Sequence, residues 1–112
     1  KGGVNISPIA VENALLNTCP ELDAVYVIGL RHDRWGEDIC AAAIFKTTVE
    51  HPERAAQQIV ERGQNGKISG LSTYEAPSRV FPITHDDRPL TSTGKVQRSA
   101  LRDIIQKQID NT

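Results

Sequence analysis

Near the carboxyl end of a 112-residue chain, the stretch Pro89-Leu90-Thr91-Ser92-Thr93-Gly94-Lys95-Val96-Gln97-Arg98 holds the residues best suited to chemistry. Three hydroxyl side chains and a glycine predict a flexible, polar turn that projects one lysine. An ammonium on a long flexible stem is a compact positive charge that can reach an anionic group. The Gly-Lys pair also invites comparison with a phosphate loop. That loop requires a glycine five residues before its second glycine, and Ser or Thr directly after the lysine. Pro89 and Val96 occupy those positions, so the phosphate-loop reading fails. The alternative to a chemical role is an ordinary surface turn with a solvated lysine.

The other reactive side chains form no comparable pattern. Cys19 and Cys40 have neither a paired nor a metal-ligand spacing, and neither adjoins a histidine. Free thiols, at least one of them buried, are expected. His32, His51 and His85 are scattered among loop signals, and no metal site is expected. The chain is 38% hydrophobic and 24% charged with a net charge of −1, which gives no basic excess for nucleic acid or an anionic membrane surface. No apolar run approaches the ~20 residues needed to span a bilayer. The class expected from composition is a soluble cytoplasmic domain with one modest core.

Apolar segments must anchor the lysine turn. Ser7-Pro8 is a helix start, a hydroxyl N-cap followed by proline at the first helical position. Val11, Ala14, Leu15 and Thr18 then share a face up to Cys19-Pro20. Leu22 to Leu30 and Ile39 to Phe45 predict two strands joined by the turn Arg31–Gly36, an antiparallel pair buried on both faces. Pro52 to Arg62 predicts a helix with Ala55, Ala56, Ile59 and Val60 inward and Gly63 as its stop. Ile68 and Leu71 form a short apolar turn before Tyr74-Glu75-Ala76-Pro77. Arg79 to Ile83 is a third strand, placed at an edge or ending early by Pro82. Leu101, Ile104, Ile105 and Ile109 give a final amphipathic helix. The first residues, Lys1 to Ile6, read like the remaining half of an N-terminal hairpin, and a fragment of a longer protein is expected. The fold class is α+β, a small, mainly antiparallel three-stranded sheet with packed helices.

Four separated motifs resemble one family, the carboxyl-terminal lid domain of adenylate-forming enzymes such as AMP-forming acyl- and aryl-CoA synthetases. Gly2-Gly3-Val4-Asn5-Ile6-Ser7-Pro8 with Val11-Glu12 resembles G-G-x-N-I-x-P-x-E-V-E, with Ala10 where a glutamate is usual. Leu22-Asp23-Ala24 through Gly29 and Arg34-Trp35-Gly36-Glu37 resembles V-x-D-A-x-V-x-G-x-P-D-x-x-x-G-E. Tyr74 to Pro77 is similar to Y-K-x-P, and Pro89 to Arg102 to P-x-T-x-x-G-K-I-x-R-x-x-L-R. The motifs fall in order from Gly2 to Arg102, and the resemblance covers the whole chain.

The resemblance implies that an N-terminal adenylation domain, outside this chain, binds ATP, Mg2+ and a carboxylic acid and forms an acyl-adenylate. The lid then rotates, and coenzyme A displaces AMP. Lys95 matches the family's catalytic lysine, and Gly94 would let the backbone approach the nucleotide. Gly2 and Gly3 match the loop that lines the pantetheine tunnel after rotation. Trp35 and Tyr74 would pack against the thiol donor, with plain aromatic packing as the alternative. Arg98 and Arg102 read as helix-face charges and Glu37 as structural. The resemblance further implies a protein lysine acetyltransferase acting on Lys95, and no adenylation by the isolated fragment. Glu75 replaces the usual lysine and Ser78 supplies no charge, so a basic contact to the coenzyme's phosphates is missing. Arg31 and His32 replace the usual Pro-Asp. The G-G-x-N-I-S-P pattern still favours coenzyme A over a carrier protein. The rival reading is a small-molecule-binding regulatory or protein-interaction module in which Lys95 is merely exposed.

Overall fold

The computed structural model describes residues 6–32 and 36–111, with the backbone alone of His32. The expected N-terminal half-hairpin therefore lies almost wholly outside the described residues. Helix α1 (Pro8–Thr18) starts as its sequence predicts: the Ala10 N–H donates to Ser7 Oγ at 3.3 Å and Pro8 opens the first turn. Val11 and Leu15 are completely buried, and with Cys19 they form the inward stripe. The Cys19 N–H closes the helix on the Leu15 carbonyl at 2.9 Å, just ahead of Pro20.

Strands β1 (Leu22–His32) and β2 (Gly36–Phe45) pair antiparallel, with Val25 opposite Ala43, Val27 opposite Ala41 and Ile28 opposite Cys40. Period-two alternation sends Val25, Val27, Ile39, Ala41 and Ala43 to one face, where they pack with Val11, Leu15 and Ile59. Ile28, Leu30, Cys40 and Ala42 face the other side and pack with Leu101 and Ile105. Both faces are thus covered, which explains why β2 reads as an unbroken apolar run.

Helix α2 (Pro52–Gln64) runs past its expected end. Gly63 is buried within it, and the actual stop is Gly66, whose φ of +69° suits glycine. The Gly66 N–H donates to the Gly63 carbonyl at 3.1 Å and the Lys67 N–H to the Arg62 carbonyl at 2.8 Å, the paired bonds of a Schellman ending. Strand β3 (Arg79–Pro82) then joins the far side of β2 in parallel, so the sheet order is β1-β2-β3. The chain is α+β as expected, mainly antiparallel, with a four-residue parallel edge strand made possible by the α2 crossover. Pro82 ends that strand.

Helix α3 (Arg98–Asp110) covers the second sheet face. Fully burying Leu101 and Ile105 stabilises its docking by roughly 1.5–3 kcal/mol each. The Arg31–Asp110 ion pair at 2.7 Å joins the same elements, but its side chains are 73% and 50% exposed. A pair that open contributes about 1 kcal/mol or less, so apolar contact decides where α3 lies.

Candidate functional site: the Lys95 hairpin and its mounting

Between β3 and α3 the chain forms a small hairpin with Lys95 at its end. Leu90 and Val96 form an antiparallel bridge. The Thr91 N–H donates to the Lys95 carbonyl at 2.8 Å, and the Gly94 N–H to the Thr91 carbonyl at 2.9 Å. Gly94 has a φ of +84°, which makes this the three-residue hairpin loop that ends in a left-handed residue. The Lys95 N–H also donates to Thr91 Oγ1 at 3.0 Å, and the Gln97 N–H to the Pro89 carbonyl at 2.8 Å. The turn was expected to be flexible and polar. Polar it is, but Thr91 ties the backbone on both sides of Gly94, so the small residues specify a shape.

Gly94 owes its identity to that shape. A Cβ there would meet nothing within 4 Å, so the left-handed backbone, not crowding inside the domain, asks for glycine. Lys95 is exposed, and among the described residues no carboxylate pairs with it. Its ammonium is open to whatever approaches from outside.

The legs of the hairpin are held by two arginines. On the incoming side, Arg88 donates through Nη1 to Tyr26 Oη at 3.3 Å and through Nε to the His85 carbonyl at 3.0 Å. On the outgoing side, Arg98 donates to both carboxylate oxygens of Glu12 and, at 3.2 Å, to the Val27 carbonyl. Glu12 is only 8% exposed, and its Oε2 also accepts the Val27 N–H at 2.7 Å. A carboxylate this buried requires paired charge and hydrogen bonds, and it has both. Arg98 is therefore not the plain helix-face charge that its position suggested. Arg102 is such a charge: exposed, and 3.4 Å from its neighbour Asp103. Pro8, Arg98 and Arg102 line one open depression of about 330 Å³, so the chain entering α1 passes beside the start of α3.

Sequence reasoning missed Glu12, Arg88 and Tyr26. A signal for Glu12 was present, because it lies between Val11 and Leu15 on the stripe that α1 buries. A carboxylate on such a stripe demands a distant cation. Nothing local in the sequence named Arg98 as that cation.

The remaining candidates are placed apart. Tyr74 lies in the loop between α2 and β3 and is 52% exposed, so core packing does not account for it. Gly2, Gly3 and Trp35 lie outside the described residues. Glu75 accepts from Ser72 Oγ at 2.7 Å and from the Ser72 N–H at 3.0 Å, and these bonds hold its carboxyl below the usual range. The carboxylate that stands in place of the family's lysine is thus engaged within its own loop. Glu37 lies across Gly29, where a Cβ would come within 2.4 Å of its Cδ. Both thiols are free and buried. Burial raises the Cys19 thiol and pushes Cys40 to about 11 against the opposing hydrogen bond with Ser78, so neither is a nucleophile at neutral pH. Among the described residues no group of three or more metal-binding side chains converges.

The family profile described as the AMP-binding enzyme C-terminal domain matches residues 10–95 of this chain. The chain belongs to that family. It is 34% identical over 109 residues to the medium-chain acyl-CoA ligase ACSF2, mitochondrial, of Danio rerio, covering 97% of this chain and 16% of the relative. The crystal structure of Brucella canis acyl-CoA synthetase superposes with a TM-score of 0.76 at 27% identity, over 96% of this chain and 19% of that one. ATP-bound MatB from Rhodopseudomonas palustris superposes with a TM-score of 0.75 at 25% identity, with the same two coverages. The chain thus spans less than one-fifth of the length of these relatives.

Proposed function

We propose that residues 1–112 are the lid domain of an ATP-dependent, AMP-forming acyl-CoA ligase, and that Lys95 is its adenylation lysine. The observation that carries this reading is the unpaired, exposed ammonium of Lys95 on a hydrogen-bonded hairpin, within a domain of this family. Held by its backbone, Lys95 presents its ammonium between a substrate carboxylate and the α-phosphate of ATP. It stabilises the charge that develops as the acid oxygen attacks and pyrophosphate leaves. This is electrostatic stabilisation and orientation with no proton transferred by the lysine.

The sites for ATP, Mg2+ and the acid belong, on this proposal, to an N-terminal adenylation domain outside the chain. After the lid rotates, a second face that includes Gly2 and Gly3 lines the path of the coenzyme A thiol, with Tyr74 and Trp35 beside it. The half-exposed ring of Tyr74 supports a contact outside the domain. A cytoplasmic location stays part of the proposal and rests on composition and the free thiols.

The experiment is an assay of the full-length protein with ATP, coenzyme A and a panel of carboxylic acids. Medium-chain fatty acids come first, because the Danio rerio relative is named for medium-chain acyl groups. The reading requires AMP, pyrophosphate and an acyl-CoA in equal amounts with at least one acid. Formation of ADP and phosphate in their place contradicts it.

A further inference from the structure

The hairpin that carries Lys95 is shaped by its own hydrogen bonds, yet those bonds do not set its angle to the sheet. Ser92, Thr93, Gly94 and Lys95 are exposed, and Leu90 is 45% exposed. Only Val96 contributes an apolar anchor, half-buried against the α3 side of the sheet. The orientation must come from whatever holds the two legs. Those legs end on consecutive residues of one strand. Arg88 reaches the hydroxyl of Tyr26, and Arg98 reaches the carbonyl of Val27.

We propose that Arg88 and Arg98 are positioning residues for the Lys95 ammonium, with the buried carboxylate of Glu12 fixing the Arg98 leg. The two legs are unequal. Arg98 makes charge-assisted bonds to both oxygens of a carboxylate that is itself tied to the Val27 N–H. Arg88 makes a 3.3 Å bond to a neutral phenol. The Glu12–Arg98 contact therefore sets the angle, and Arg88 refines it. Arg98 stands three residues from Lys95, separated only by Val96 and Gln97. A tilt of the hairpin base is carried directly to the ammonium, and a misplacement of about 1 Å can cost roughly 10²-fold in rate. The contact also ties the outgoing leg to α1.

This inference rests on the reading of Lys95 as the adenylation lysine, and its test separates the two. In the full-length protein, the adenylation half-reaction is measured by pyrophosphate exchange, and the thioester half-reaction from preformed acyl-adenylate. The variants are Arg98→Met, Arg98→Lys, Glu12→Gln and Tyr26→Phe, each with a melting curve, and Lys95→Ala alone and combined with Arg98→Met. Arg98→Met and Glu12→Gln are expected to lower the adenylation kcat by about 10- to 100-fold, with KM for ATP unchanged. Tyr26→Phe lowers it less than tenfold, and Arg98→Lys recovers part of the Arg98→Met loss. Added to Lys95→Ala, Arg98→Met produces no further loss, because the group it positions is gone. A merely structural arginine would instead add its own loss to that of Lys95→Ala, and that result overturns the proposal. So does wild-type adenylation in a folded Arg98→Met or, if that variant does not fold, in Glu12→Gln. If Lys95→Ala alone leaves adenylation unchanged, the functional reading falls first and the positioning role falls with it.

Discussion

Gly63 and Ala76 are in contact across the join between α2 and the loop that leads into β3. A Cβ built on Gly63 would lie 2.7 Å from the Cβ of Ala76, which is itself completely buried. Gly63→Ala adds a methyl group to a site with no room for it. A helical alanine gains about 0.5–1 kcal/mol over glycine. Overpacking costs roughly 1–3 kcal/mol, so the balance is destabilising. Thermal melting should show a Tm lowered by several degrees, and an unchanged or raised Tm would contradict the close approach.

That glycine also shows where sequence reading stops working. A glycine at the last but one position of a helical pattern reads as an end, whereas here it answers to Ala76, thirteen residues further along the chain. The helices and the first two strands were legible, because caps and apolar runs are local: Ser7-Pro8 for α1, and the β-branched and apolar stretches of β1 and β2. The parallel pairing of β3 was not legible, since no residue of Arg79–Pro82 encodes the direction of its neighbour. At the site, Gly94 and Lys95 stood out as a polar turn carrying one lysine, and the role expected of them came from the family resemblance. Their support by Glu12, 86 positions from Arg98, could not be read from the sequence.

Gly94 supplies a second prediction, of a different kind. Its surroundings are open, so a side chain is opposed only by the left-handed backbone at φ +84°. Gly94→Ala should cost about 1–2 kcal/mol or shift the loop to another turn, and Gly94→Asn should be milder, because asparagine visits that region more readily. Paired melting curves check the order. Equal effects of both substitutions would mean that the backbone strain is not the cause.

The buried thiols predict a loss of stability in alkali. With Cys40 raised from 9.0 to about 11 in the folded chain, the folded state holds its proton where the unfolded state has released it. The unfolded state then binds fewer protons, so stability falls as pH rises from about 9 to about 11, by on the order of 2–3 kcal/mol in all. Below pH 9 the contribution is fully present. Urea titrations at pH 8 and pH 10.5 should show this loss, and it should shrink in Cys40→Ala. Both native thiols should also resist a thiol reagent at pH 8 until the chain unfolds. Fast labelling of the folded chain would contradict the burial of Cys19 and Cys40.

The central claim is that Lys95 acts in forming the acyl-adenylate, and one comparison tests it most directly. In the full-length protein, Lys95→Ala is assayed for pyrophosphate release with acid and ATP, and separately for thioester formation from preformed acyl-adenylate and coenzyme A. Loss of one well-placed electrostatic donor should lower the first rate by roughly 10²–10³-fold, while the second, assigned in the proposal to another face of the domain, should stay near wild type. Equal loss in both half-reactions, or an unchanged first rate, would contradict the account.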